Sequence, residues 1–332
     1  MDSVTHIVLG ACVGEVLMDR KAGRKAMLWG ALAQSIPDID FISGAWLPLT
    51  KELIAHRGFT HSFLFALLIS FLFALVAFTW HKAERISLQK WFAFFLIEVL
   101  IHLLLDSLNN YGIGWLEPFS SKRFAFNIIY VADPLFTLVP LMIFFFLLLK
   151  KMDHPHRLKF ARVGILAPMF YLFFTFYNKQ KIEKAVQPYI NKNVNYFTAP
   201  TLLNNFLWTA VIKDSIGFQV GYASVFGKND FSFKHFDQHE SYLDSVHDHQ
   251  ELMDLKRFSQ GFYTAEKWGD TLVFNDLRFG QINGWEDPNS KFSFHYFLSH
   301  PQDNELIVQR GRFVGLNKSS TKLLVAKMFN VK

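Results

Sequence analysis

Long apolar runs broken by short polar stretches fill residues 1–177, whereas from residue 178 onward apolar and polar positions alternate. The first pattern is that of helices surrounded by lipid; the second is that of strands with one face buried. Four runs, at about 62–80, 91–106, 134–149 and 161–177, approach the ~17–20 residues a helix needs to cross a bilayer. Two shorter runs come first, at about 3–18 and 24–36, and predict a helical hairpin packed within the bundle. Beyond residue 178, FLWTAVI (206–212), GFQVGYASVF (217–226), TLVFNDLRFG (271–280), KFSFHYFL (291–298) and ELIVQRGRF (305–313) read as strands. DSIG at 214–217 reads as a hairpin turn, and a helix is predicted near 246–263. The predicted fold class is an all-α multi-pass membrane helical bundle over residues 1–177, with four spanning helices plus the N-terminal helical hairpin. A soluble α+β domain over residues 178–332 follows.

Charge orients this arrangement. The net charge is +6, and in the first half most of the basic residues fall in three clusters. These are Arg20, Lys21, Arg24 and Lys25; Lys82, Arg85 and Lys90; and Lys150, Lys151, Arg157, Lys159 and Arg162. Each lies between apolar runs, as basic cytoplasmic loops do. They cap apolar segments and do not line one soluble face, so no nucleic-acid partner is expected. With all three in the cytoplasm, loops 37–61 and 107–133, both termini and residues 178–332 fall on the outer face. The lone cysteine, Cys12, excludes an intramolecular disulfide and a cysteine-based zinc site. Met1-Asp2 makes a poor signal peptide and is expected to be retained. Nothing in the pattern specifies an oligomeric state.

The polar residues that interrupt the first half gather at that outer face. Asp2 and His6 are one helical turn apart. Asp38 and Asp40 follow Pro37, His56 and His61 flank Arg57-Gly58, and Asp133 precedes Pro134. His102 and Asp106 share a helix face with Glu98, which lies about 12 Å below Asp106. Each ionisable group in lipid costs roughly 2.5–3.5 kcal/mol. These groups must therefore meet a polar cavity, one another or a cation. Mixed imidazole and carboxylate donors suit a divalent metal, zinc first, with manganese or iron as the other candidates. The donor set has room for one to three ions. Several of the residues also have structural readings: Asp2 and Asp133 suit helix N-termini, PDID a turn, Thr60 an N-cap, and Arg57 a contact with lipid headgroups. The histidine- and carboxylate-rich stretch 235–249 reads as a solvated linker.

MDSVTHIVLGACVGE, PDID, HRGFTHSF, HLLLDSLNNYG and ADPLF occur in this order across residues 1–136. The series resembles the YdjM-like family of membrane-bound predicted metal-dependent hydrolases, a family distantly similar to zinc-dependent phospholipase C and the single-strand-specific zinc nucleases. The resemblance implies a bacterial inner-membrane protein with a helical metal site built on a His-x-x-x-Asp pair, here His102 and Asp106. It makes His6, Asp38, His56, His61, His102 and Asp106 the expected ligands; the pattern of polar residues at the outer face adds Asp2, Asp40 and Asp133 as further candidates.

The function expected is metal-dependent hydrolysis, with a phosphoester of a lipid or another amphiphilic substrate as partner and a metal-activated water as nucleophile. Arg57 and Arg123 would steady the anion, and Glu98 would serve the centre directly or as the partner of His102. The metal site and the C-terminal domain would share the periplasmic face. Two other readings use the same residues: a metal-bearing scaffold without catalysis, and an ion-coupled transporter with its path along Glu98, His102 and Asp106.

Overall fold

The structure, a computed structural model, describes residues 1–18, 22, 24–192, 194–227, 230–298 and 318–330. Arg20 and Lys21 of the first basic cluster and the expected strand 305–313 lie outside the described residues. The chain divides into two compact units, one of Met1–Ala45 with Ala55–Thr175 and one of Trp46–Ile54 with Phe176–Lys332.

The first unit is helical. α1 (Ser3–Met18) and α2 (Arg24–Ala33) form the N-terminal hairpin. They meet backbone to backbone at Gly10 and Gly30, where a Cβ on either glycine would come within 2.4 Å of the other's carbonyl oxygen. Small residues allow this closeness, as in membrane helices generally. α2 stops at Ala33, short of Pro37, which restricts the residue before it and lacks the N–H a helix requires. α3 (Leu49–Ala55) follows, most of it in the second unit. α4 (Phe63–Trp80) opens on Ser62, whose hydroxyl accepts from Phe65 N at 3.1 Å. The cap predicted at Thr60 is thus two residues later, and Thr60 serves the site instead. The buried residues of α4 are Ala66, Ser70, Ala74 and Ala77, a small stripe against α5 (Leu88–Ser107), while Phe63, Leu67, Leu68, Phe71, Leu72 and Phe78 are exposed.

α6 (Pro134–Leu149) and α7 (Arg157–Val186) complete the helical part. Among the described residues three helices are long and apolar enough to cross a membrane: α4, α5 and α7. The fourth expected span, α6, has 16 residues, about 24 Å of helix against ~30 Å of hydrocarbon. Between α5 and α6 the chain folds back over the end of α5. Phe126 N donates to Ser107 O at 2.7 Å and Ile128 N to Leu108 O at 2.7 Å, which satisfies carbonyls that a helix end leaves open.

The second unit holds two antiparallel sheets. β1 (Tyr196–Pro200), β2 (Leu207–Lys213), β3 (Gly217–Ser224) and β4 (Ser232–Asp237) pair in that order; β5 (Tyr263–Trp268), β6 (Thr271–Gln281) and β7 (Phe292–Phe297) form the other sheet. The predicted turn at 214–217 joins β2 to β3, with Asp214 Oδ1 accepting from Ile216 N and Gly217 N. Phe197, Val211, Phe218 and Val220 of the first sheet pack with Leu277 and Phe292 of the second. α8 (His249–Phe258) is shorter than the predicted 246–263, and α9 (Lys318–Met328) ends the described chain. The stretch read as a linker at 235–249 is mostly ordered. His235 lies in β4 between Asp214 and Asp237, at 3.0 Å from each.

Candidate metal centre

Four elements of the first unit bring acidic and imidazole side chains to one end of the bundle. α1 supplies His6, the 3₁₀ segment Pro37–Ala45 supplies Asp38 and Asp40, the short turn before α4 supplies His61, and α5 supplies His102 and Asp106. The ligand atoms of Asp38, His61, His102 and Asp106 all lie within 4.8 Å of one another. His61, His102 and Asp106 are fully buried, and the Asp38 side chain is 19% exposed.

Hydrogen bonds at the backs of the two rings decide what their fronts can do. His102 Nδ1 lies 2.6 Å from the main-chain oxygen of Gln34, which can only accept. His61 Nδ1 faces Asp40 Oδ2 at 3.2 Å and the Thr60 hydroxyl at 3.1 Å. Thr60 gives its own proton to Asp40 at 2.9 Å. Both Nδ1 atoms are therefore donors, and both Nε2 atoms carry lone pairs. Those two lone pairs face each other at 3.1 Å. Asp106 Oδ2 stands 3.2 Å from His61 Nε2 and 3.5 Å from His102 Nε2. Asp38 Oδ1 stands 3.5 and 3.7 Å from the same two atoms. Four acceptors turned on one another repel unless a cation lies among them.

The separations fit such a cation. Zinc bonds of ~2.0–2.1 Å in a tetrahedron set its ligand atoms about 3.3 Å apart. Five of the six donor separations lie between 3.1 and 3.7 Å.

Asp40 organises the loop that carries His61. Its carboxylate accepts from Arg57 N at 2.7 Å and from the Thr60 hydroxyl, and it faces His56 Nδ1 at 2.9 Å. Burial opposes the charge on Asp40, but the hydrogen bonds from His56 and His61 outweigh it and hold the carboxyl well below the usual carboxylate range. Burial lowers His56, with Asp40 compensating only in part. His56 stands outside Asp40 with its side chain 35% exposed.

Arg57 is buried, and its backbone is left-handed at φ 61°, a conformation costing roughly 1–2 kcal/mol in a residue with a Cβ. Its surroundings hold it there. Asp40 takes its N–H, Gly114 N donates to its carbonyl at 2.9 Å, and Asn109 Oδ1 accepts from Nη1 at 2.8 Å. Its Nε lies 3.2 Å from Asp106 Oδ2, and the guanidinium rests over the Tyr111 ring. Burial lowers Arg57 to about 10, so it remains charged at neutral pH. Arg123 Nη2 donates to the His56 carbonyl at 2.5 Å.

The remaining candidates take other places. His6 Nε2 lies 3.2 Å from Asp106 Oδ1, and its ring stacks on His102 at 3.9 Å between centroids. The Met1 amino nitrogen contacts the same Asp106 oxygen. Asp2 accepts from Thr5 N at 3.0 Å and the Thr5 hydroxyl at 2.6 Å, serving the start of α1. Asp133 caps α6 through Leu135 N at 2.9 Å and accepts from the Tyr171 hydroxyl at 2.8 Å. Burial pushes its carboxyl up to about 6. Glu98 is one turn below His102, and its partner is the Gln34 side chain at 2.8 Å. Sequence reasoning passed over Gln34 and Asn109 and read Thr60 only as a helix cap, because an amide or hydroxyl among apolar residues carries none of the charge signal that singles out His102.

Residues 1–182 match the family model described as YdjM inner membrane protein. Inner membrane protein YbcI of Escherichia coli (strain K12) is 31% identical over 123 residues, 36% of this chain and 69% of that protein. Uncharacterized protein YfhP of Bacillus subtilis (strain 168) is 32% identical over 145 residues, 40% of this chain and 42% of YfhP, so the match spans less than half of that relative. No solved structure matches the chain. The matched region contains all four convergent donors, α4, α5 and most of α7, and over it the chain belongs to the YdjM inner membrane protein family.

Proposed function

We propose that this membrane protein is a metal-dependent hydrolase acting on a phosphoester of a lipid or a similar amphiphile. One observation carries the reading: four acceptor atoms, two of them imidazole lone pairs with their opposite nitrogens already committed, face one another at the spacing of ligands around one ion. Two imidazoles and two carboxylates suit zinc, with manganese or iron next.

When bound, a divalent ion supplies Lewis acidity and brings the pKa of water toward ~7. The chain's own residues do the rest. Asp40 and the Gln34 carbonyl hold His61 and His102 in their ligating orientation. Arg57 balances the charge of Asp106 and is close enough to the centre to offset charge that develops on a phosphoester. Asp38, the part-exposed donor, marks the side open to substrate. Its chain neighbours Ile39, Phe41 and Ile42 are exposed, as is Phe59 beside the His61 turn, and they offer apolar surface to an acyl chain. The lysine and arginine asymmetry supports a periplasmic orientation for this end.

The test uses the full chain in detergent, stripped with a chelator and reloaded with zinc. Elemental analysis should find about one zinc per chain, the count one tetrahedral site holds. Phospholipid vesicles should release a phosphorylated product, and His61→Ala and His102→Ala should abolish both signals. A wild-type chain that stays metal-free after reloading sinks the reading. One feature favours the scaffold instead: four protein donors make the closed kind of site typical of structural zinc. Zinc bound tightly with no turnover of any phosphoester would select that alternative.

A further inference from the structure

We infer that Glu98 acts on the centre through Gln34: the Glu98 carboxylate fastens the Gln34 side chain, and the Gln34 main-chain carbonyl thereby fixes the ring of His102. This rests on the metal reading of the centre and names two positioning residues for it.

Gln34 is the first residue past α2. Its N–H still donates to Gly30 O at 3.0 Å, but its carbonyl lies where a helix leaves acceptors without N–H partners. That carbonyl receives His102 Nδ1 at 2.6 Å. The contact fixes both the tautomer and the angle of the ring, so its direction governs where His102 Nε2 points. Main chain just beyond a helix end frays readily, and an acceptor there needs a tether. The Gln34 side chain is that tether, with Nε2 donating to Glu98 Oε2 at 2.8 Å.

Glu98 is built to hold still. It lies within α5 and is fully buried. Gly30 walls its other oxygen so closely that a Cβ there would come within 2.8 Å of Oε1. That oxygen has no hydrogen-bond partner among the described residues. A carboxyl group inside an apolar helix is costly, and among the described residues it makes a single hydrogen bond, to Gln34. Glu98 is not among the four donors that converge. His102 turns Nε2 toward those donors and Nδ1 toward Gln34, so Glu98 belongs to the Gln34 side of the ring.

The experiment measures zinc affinity by competition with a chromophoric chelator, using the purified full chain. Glu98→Gln keeps an oxygen that accepts the same bond and should bind zinc within about threefold of wild type, the scale of one neutral hydrogen bond or less. Glu98→Leu and Gln34→Leu each cut the tether, although the latter keeps its carbonyl, and each should weaken binding about 10–100-fold. The double variant should be no weaker than either single one, because both cut one link. If Glu98 were itself a ligand, Glu98→Gln would bind as poorly as Glu98→Leu and Gln34→Leu would match wild type; either result overturns the inference, as does an additive double variant. Should Glu98→Leu fail to fold, the isosteric Glu98→Gln and the separate Gln34→Leu still decide it. Wild-type chain that takes up no zinc defeats the metal reading itself, an outcome distinct from any ranking among the variants.

Discussion

Two polar clusters buried in the first unit are opposites in kind. At one end of α1, Glu15 and Arg157 form a closed pair: Nε reaches Oε1 at 2.8 Å and Nη2 reaches Oε2 at 2.9 Å. Nη1 adds bonds to Leu147 O at 2.6 Å and Lys150 O at 2.9 Å. Every charge there meets its complement inside the protein, and three helices and a loop are tied together. Nine residues back along α1, at His6, acceptors face acceptors. A buried polar cluster that is complete by itself is architecture, and one that is missing a cation is a binding site. Burial alone does not separate the two; the donor and acceptor inventory does.

That contrast can be broken experimentally. The largest effect is expected from Arg157→Met, which strands Glu15 and should lower unfolding stability by about 3–5 kcal/mol while zinc affinity stays level. Glu15→Leu combined with Arg157→Met should recover much of the loss in a denaturant titration. Next, His102→Ala should weaken zinc binding more than the ~100-fold seen on losing an outer partner. In chelator its unfolding temperature should fall by less than that of Arg157→Met, since the loss of ring packing and of the Gln34 contact is offset by removing one of four mutually repelling acceptors. A drop as large as that of Arg157→Met would mean that this cluster, too, is architecture.

Smaller effects sharpen the same distinction. Asp40→Asn leaves the donors in place but weakens the partner of His61 Nδ1, and zinc affinity should drop about 10-fold by competition titration. The smallest effect belongs to Asp133. Its carboxyl is raised from 3.8 to about 6 by burial, so the folded chain keeps a proton that the unfolded chain has already released. Stability from this group is therefore greatest below about pH 4, falls as pH rises toward 6, and is level above that. Asp133→Asn should remove that slope. Unfolding temperatures in chelator at pH 4.5 and 7.5 should diverge less in the variant than in wild type.

Much of this was legible in the sequence for a physical reason. His102 and Asp106 stand out because ionisable groups are costly in an apolar helix, and their four-residue spacing put them on one face. Pro37 and Gly58 punctuated the loops that carry Asp38 and His61. What stayed hidden was the role of neutral groups and main chain. Gln34 contributes a carbonyl, which any residue has. Arg57 looked like a headgroup contact, yet it is buried in a left-handed turn, although the neighbouring Gly58 seemed the natural residue for such a conformation. In the second unit, β1 carries Pro200, β5 carries Glu266 and Lys267, and β4 is largely solvent-facing. None of the three shows the apolar alternation that revealed β2, β3, β6 and β7.

The contact of Gly10 with Gly30 has a consequence for heredity more than for packing. His6 lies one turn before the first glycine and Gln34 one turn after the second. A methyl group at either position would have to push two backbones apart by an ångström or more, whereas a metal site tolerates ligand displacements of only ~0.2 Å. The tuning of the rim is thus stored where no donor resides, in the absence of two methyl groups. Substitution of Gly10 or Gly30 by Ala is therefore expected to disperse the four convergent donors while every one of them remains spelled out in the gene.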